Sequence, residues 1–152
     1  MRAIGRTVVI ATMLVLAGGM ARAADIRVLG IDAVQEAVRA LAAEFGKDTG
    51  QEVAVTFASP EAALEKIRAG DIFDALIASE AAMDELDVDG IVNPESRVRL
   101  ASAGTGLDMS YEGALMSDGS EPQAARAFIR FLASPDARPH WLAAKLEPVA
   151  EP

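Results

Sequence analysis

The sequence predicts an α/β fold in three layers, a mostly parallel sheet with helices on both faces. Three observations predict it. Short apolar strands alternate with amphipathic helices through the first half of the 152-residue chain. Ala75-Leu76-Ile77-Ala78 is apolar without a break, as a strand buried on both faces requires. The connections between these segments are short, which implies right-handed crossovers between parallel strands.

The elements follow in order. Met1 to Ala23 reads as a secretory signal peptide: Arg2 and Arg6 lead, Val8 to Leu16 is the apolar core, and Ala21-Arg22-Ala23 is the cleavage site. That apolar run is too short for a membrane span, which needs ~20 residues. The mature chain, 24–152, is expected to be a single periplasmic domain. Ile26 to Leu29 is a strand, Gly30-Ile31-Asp32 turns, and Val34, Ala37, Val38, Leu41 and Phe45 form the apolar stripe of a helix capped by Asp32. Thr49-Gly50 ends it. Val53, Val55 and Phe57 alternate as a second strand. Ser59 then caps a helix whose first turn takes Pro60, a position that needs no N–H. Gly70 stops this helix, and the Ala75 strand follows. Ser79 to Leu86 reads as a third helix, Val98 to Ala101 and Tyr111 to Met116 as strands, and Glu121 to Leu132 as a helix. Ser134-Pro135 starts another, carrying His140 as an ordinary helix residue and Trp141 as packing. Glu147 to Pro152 is expected to be irregular.

Composition excludes several function classes. The charge is −9, and loss of the leader takes three arginines and no acid, leaving −12. That balance excludes nucleic acid and anionic membrane as partners, because both need clustered cations. A small anion remains open, since neutral N–H and O–H donors can build its site. With no cysteine there is neither a disulfide nor a thiolate metal site. No nucleophile elbow, phosphate loop or histidine-rich cluster is present, so neither an enzyme nor a bound cofactor is expected. Asp87-Val88-Asp89-Gly90 raises the question of calcium, with Glu85, Asp87 and Asp89 at the first, third and fifth positions of a loop. Ser96 stands where that loop requires a bidentate Glu, so a solvated turn and no metal is the better reading.

Phe57-Ala58-Ser59-Pro60, then Gly70, then Phe73-Asp74-Ala75-Leu76 resembles the first lobe of the periplasmic molybdate-binding proteins, the solute receptors of ABC importers. There a Phe-Gly/Ala-Ser-Ser turn precedes a helix, a Gly and an Ala-Asp-Val-Phe-like strand. The resemblance continues through Met83-Asp84, Gly90-Ile91-Val92-Asn93-Pro94 and Ser96-Arg97-Val98. It resumes at Pro122 to Phe128 and Phe131 to Pro135. It implies one lobe of a type II periplasmic binding protein. The family places roughly a hundred residues, about one small domain, where this chain has only the ten between Leu100 and Tyr111. The second lobe is therefore expected to be absent between about 101 and 110.

The resemblance also implies a site: Asp32, Ala33, Ser59, Pro60, Ser79 and Tyr111 are the candidate ligand contacts. The family's first-loop serine falls at Ala33 and its second-loop serine at Pro60, so both hydroxyls are lost, and Asp32 adds a charge. One repulsive pair at ~4 Å and an effective dielectric of ~20 costs ~4 kcal/mol. The positive ends of helices return ~0.3–1 kcal/mol each. The expected function is a one-lobe, non-catalytic solute-binding protein with weak or altered oxyanion binding. Its partners would be a small anion or other small solute, an ABC permease and a second copy in a homodimer. The alternative is an interaction or oligomerising module that keeps the fold and binds no oxyanion.

Overall fold

The computed structural model describes residues 25–104 and 109–149. The leader read over 1–23 lies outside the described residues, as do residues 105–108 of the connection at which the second lobe is expected to be missing. Strands that are apolar on both faces must lie inside a sheet, and these do. β1 (Ile26–Ile31) sits between β2 (Val53–Ala58) and β3 (Ala75–Ser79), parallel to both. On the far side of β3 the pairing changes. β5 (Met109–Leu115) runs antiparallel to β3 and to β4 (Val98–Ala103), and β6 (Leu146–Pro148) runs antiparallel to β4. The order is β2-β1-β3-β5-β4-β6. Four strands, β1 to β4, share one direction, and the opposed β5 and β6 make the sheet mixed. The reason lies in connection length: β4 is followed by β5 after the few residues between Ala103 and Met109, and a parallel return needs a dozen or more.

Helices cover both faces because the chain changes direction across the sheet. β1 leads to β2 through α1 (Gln35–Thr49), and β2 leads back past β1 to β3 through α2 (Pro60–Arg68). Two right-handed crossovers in opposite directions must use opposite faces. α1 shares its face with α4 (Pro122–Leu132) and α5 (Arg138–Ala143), while α3 (Glu80–Val88) joins α2. Phe45 of α1 meets Phe128 and Phe131 of α4, with ring centroids 5.3 and 5.5 Å apart. Trp141 is buried and donates its indole N–H to the Leu132 carbonyl at 2.9 Å. His140 lies 2.8 Å from Glu44 and ties α5 to α1.

The punctuation residues behave as their chemistry demands. Gly50 and Gly70, with φ of 72° and 86°, end α1 and α2 in the left-handed region that a side chain would resist. Pro122 opens α4 at its first position. Two expectations are corrected. Glu147 and Pro148 are not irregular but belong to β6, held by its pairing to β4, a contact that local sequence does not encode. Asp32 does not cap α1: the chain enters through a short 3-10 turn, Asp32–Val34, so Asp32 is already inside the helical segment and Ile31 stands at its cap.

Candidate functional site

β1, β2 and β3 run the same way, so all three release the chain at the same end of the sheet, and each is followed by a helix starting there. This end therefore gathers three sets of main-chain N–H groups with no intrahelical partner. Ser59 is the cap of α2, and its hydroxyl accepts the Ala62 N–H at 3.2 Å. Ser79 is the cap of α3, and its hydroxyl accepts the Ala82 N–H at 3.4 Å. A hydroxyl that accepts still holds its own proton, so both serines keep one donor for a ligand. Pro60, at the first position of α2, supplies no N–H.

The six candidates fall into distinct places. Pro60 and Ser79 line one enclosed apolar cavity of about 40 Å³ between α2 and α3, with Ile31, Ala63, Leu76 and Ala82 among its walls. Ser59 is half-buried beside Pro60. Tyr111 pairs with Ser79 across β3 and β5 but is only 3% exposed, so it belongs to the core. Asp32 and Ala33 are both exposed and line a separate open groove along α1 with Glu36 and Arg39. The α2–α3 cavity would hold little more than a water molecule, and its walls are apolar. A solute would have to lie on the open surface above it.

Electrostatics at this end favour cations over anions. Asp32, Glu36 and Glu61 are exposed near the starts of α1 and α2. Arg99 is occupied by Glu80 at 3.4 Å. The acidic turn behaves differently from a calcium loop: Asp87 lies 3.5 Å from Arg97. Arg97 also holds Asp84 at 2.7 Å and the buried Glu112 at 2.8 Å, and the hydrogen bonds it donates to Asp84 and Glu112 raise the guanidinium's pKa despite burial. Among the described residues no group of three His, Cys, Asp or Glu is placed to hold a metal ion. The role of Arg97 was not visible in its own neighbourhood, although a lone Glu112 inside the apolar run of β5 signals that some cation must reach it.

A second unassigned residue is Asp74, fully buried just before β3. Its carboxylate accepts the N–H of Arg27 at 2.8 Å, the N–H of Glu121 at 2.9 Å and the Ser120 hydroxyl at 3.1 Å. Burial pushes its pKa up, but these hydrogen bonds together outweigh burial and hold it below the usual carboxylate value. Asp74 lies at the opposite end of the sheet from the candidate ligand contacts and is a structural tie between β1, β3 and the start of α4.

The model of the family described as "bacterial extracellular solute-binding protein" matches residues 26–110. No curated protein matches the chain in sequence. Among solved structures, the substrate-binding domain assigned to a molybdenum ABC transporter of Clostridium difficile superposes with a TM-score of 0.75 at 10% identity, covering 84% of this chain and 100% of that one. The periplasmic molybdate-binding protein of Azotobacter vinelandii gives 0.71 at 14% identity, covering 84% and 100%. The sulfate-binding protein SubI of Mycobacterium tuberculosis gives 0.68 at 10% identity, covering 83% and 87%. At such identities the likeness is one of fold. Among the described residues no helix is long and apolar enough to cross a membrane.

Proposed function

This chain belongs to the bacterial extracellular solute-binding protein family, and from that premise we propose that it is a periplasmic, non-catalytic solute-binding protein reduced to one lobe, with weak or altered oxyanion binding. The observation that carries this reading is the state of the three helix starts. Two keep a serine donor, Ser59 and Ser79, while the third presents an exposed carboxylate, Asp32. Ala33 brings no hydroxyl, and Pro60 brings neither a hydroxyl nor an N–H. The described residues form one six-stranded sheet, which supports a single lobe. Without a second lobe to close over it, a ligand stays in contact with water, and each charge interaction is correspondingly weak. The partners proposed are a small anion or other small solute and an ABC permease.

The test is a thermal-shift titration of the chain from Ala24 onward with molybdate, tungstate, sulfate, phosphate and calcium. A site filled at 100 times its Kd adds ~2.7 kcal/mol, a rise of several degrees in a domain of this size. The expected outcome is a small rise with oxyanions that does not saturate. A saturating rise with molybdate or tungstate alone would show that the serine and main-chain donors outweigh Asp32, and the reading of weakened binding would fail.

A further inference from the structure

We propose that the open edge of β2 is a self-complementary interface, through which two copies of this chain pair antiparallel about a two-fold axis at Val55. Among the described residues the sheet has two edges, β2 and β6, and they are built differently. β6 is three residues long and carries Glu147 and Pro148, the devices by which an edge refuses a partner strand. β2 is six residues long, VAVTFA, with no charge and no proline, and its register with β1 runs unbroken from Val53 to Ala58. It has none of the protections that β6 has.

Three residues of β2, Val53, Val55 and Phe57, are incomplete in two ways. The Ile26 N–H donates to the Glu52 carbonyl at 2.9 Å, which turns the main chain of Glu52 toward β1. By alternation Ala54, Thr56 and Ala58 also face β1, and the N–H and C=O groups of Val53, Val55 and Phe57 point away from the sheet. The side chains of Val53, Val55 and Phe57 are only half-buried and line an open groove of about 570 Å³ against α1. Any strand could satisfy the main-chain groups. A second copy also matches the side chains.

Antiparallel pairing centred on Val55 sets Val53 opposite Phe57 of the second copy and Val55 opposite its own equivalent, all on the groove face. These are the residues whose main-chain groups point outward, so each pair exchanges two hydrogen bonds. Arg39 lies over the Phe57 ring, 5.5 Å from its centroid, and Glu52 lies beside Val53 with Lys47 on the same rim. The two-fold repeats the same contacts on both sides of the axis, Val53 against Phe57 and Phe57 against Val53. An isologous contact of this kind closes on itself at two copies.

The chain has no cysteine, which makes a decisive test simple. Residues facing each other in a hydrogen-bonded pair have Cα atoms ~5.5 Å apart, inside the ~4.4–6.8 Å range of a disulfide. Light scattering on the chain from Ala24 onward is expected to give the mass of two copies. Under mild oxidation Val55→Cys is expected to form a covalent dimer about tenfold faster than Ala54→Cys or Thr56→Cys, whose side chains leave the other face and do not meet their own equivalents. Val55→Lys, which opposes two like charges on the axis, is expected to halve the mass while leaving the circular dichroism spectrum unchanged. A monomer at every concentration would overturn the interface, and so would equal linking rates for the three cysteine variants.

Discussion

At the amino end of β3, Asp74 is buried among three donors that hold its carboxylate ionised; at the carboxyl end of β1, Asp32 stands exposed beside the helix starts. Both are aspartates at a strand terminus, and their surroundings give them opposite properties. Asp74 is bound to fixed partners from β1 and from the segment entering α4, so it stabilises the fold and is closed to any ligand. Asp32 lines an open groove, so it adds little to the fold and sets the sign of the potential that an arriving solute meets. The two ends of the sheet thus separate an aspartate that holds the fold from one proposed to meet a solute.

The largest expected effect lies at the buried end. Asp74→Ala leaves the N–H groups of Arg27 and Glu121 and the Ser120 hydroxyl without their acceptor, a loss of ~3–5 kcal/mol, to be read from urea unfolding at neutral pH. Asp74→Asn keeps the shape and part of the acceptor capacity, so its loss is smaller. The two differ further in acid. The folded carboxyl titrates below its unfolded value, so between the two pKa values the unfolded chain binds more protons and stability rises with pH. The contribution is complete above about pH 4, the unfolded value, and is lost as the pH falls through the folded one. Unfolding midpoints between neutral pH and strong acid should therefore converge for the unmodified chain and Asp74→Asn. If the gap between them stays constant, Asp74 is not the group that titrates.

A smaller effect is expected at the helix starts, where each serine serves both the fold and the candidate site. Ser59→Ala removes the acceptor for the Ala62 N–H and should cost ~1 kcal/mol. Ser79→Ala should cost less, because its bond to the Ala82 N–H is the longer of the two. Denaturant midpoints check both. Equal losses would mean that the surrounding packing, and not the cap, sets the stability of these turns.

The contrast between the two aspartates also explains what the sequence reveals. Segments whose form is fixed locally are legible: Ser59-Pro60 at the start of α2, Gly50 and Gly70 past the helix ends, and the apolar run of β3. The strand β6 is not, because three residues carry little pattern of their own and Leu146–Pro148 is defined by its pairing with β4. Asp74 is quoted within the family-like segment, yet its partners lie 46 and 47 positions away, so no local rule assigns its role. Asp87, read as part of an acidic turn, finds Arg97 ten positions on, after the chain reverses. The candidate contacts come from the resemblance. Parallel β1, β2 and β3 bring Asp32, Ser59 and Ser79 to one end of the sheet, while Tyr111 is drawn into the core by its place on central β5.

The smallest effect on stability is expected at Asp32, where it sharpens the contrast most. Asp32→Asn alters one exposed side chain and should change the unfolding free energy by less than ~0.5 kcal/mol. Its effect on a bound anion should be larger. Removing one negative charge at an exposed position should tighten molybdate or sulfate binding about tenfold at low salt, and less at high salt as the Debye length shortens. Thermal-shift midpoints for each oxyanion, taken with both chains at two salt concentrations, measure this. A salt-dependent gain for the Asp32→Asn variant over the unmodified chain would place the anion beside α1 and identify Asp32 as the residue that opposes it. Equal midpoints would place any anion away from α1, nearer the caps of α2 and α3, where Ser59 and Ser79 would be its donors.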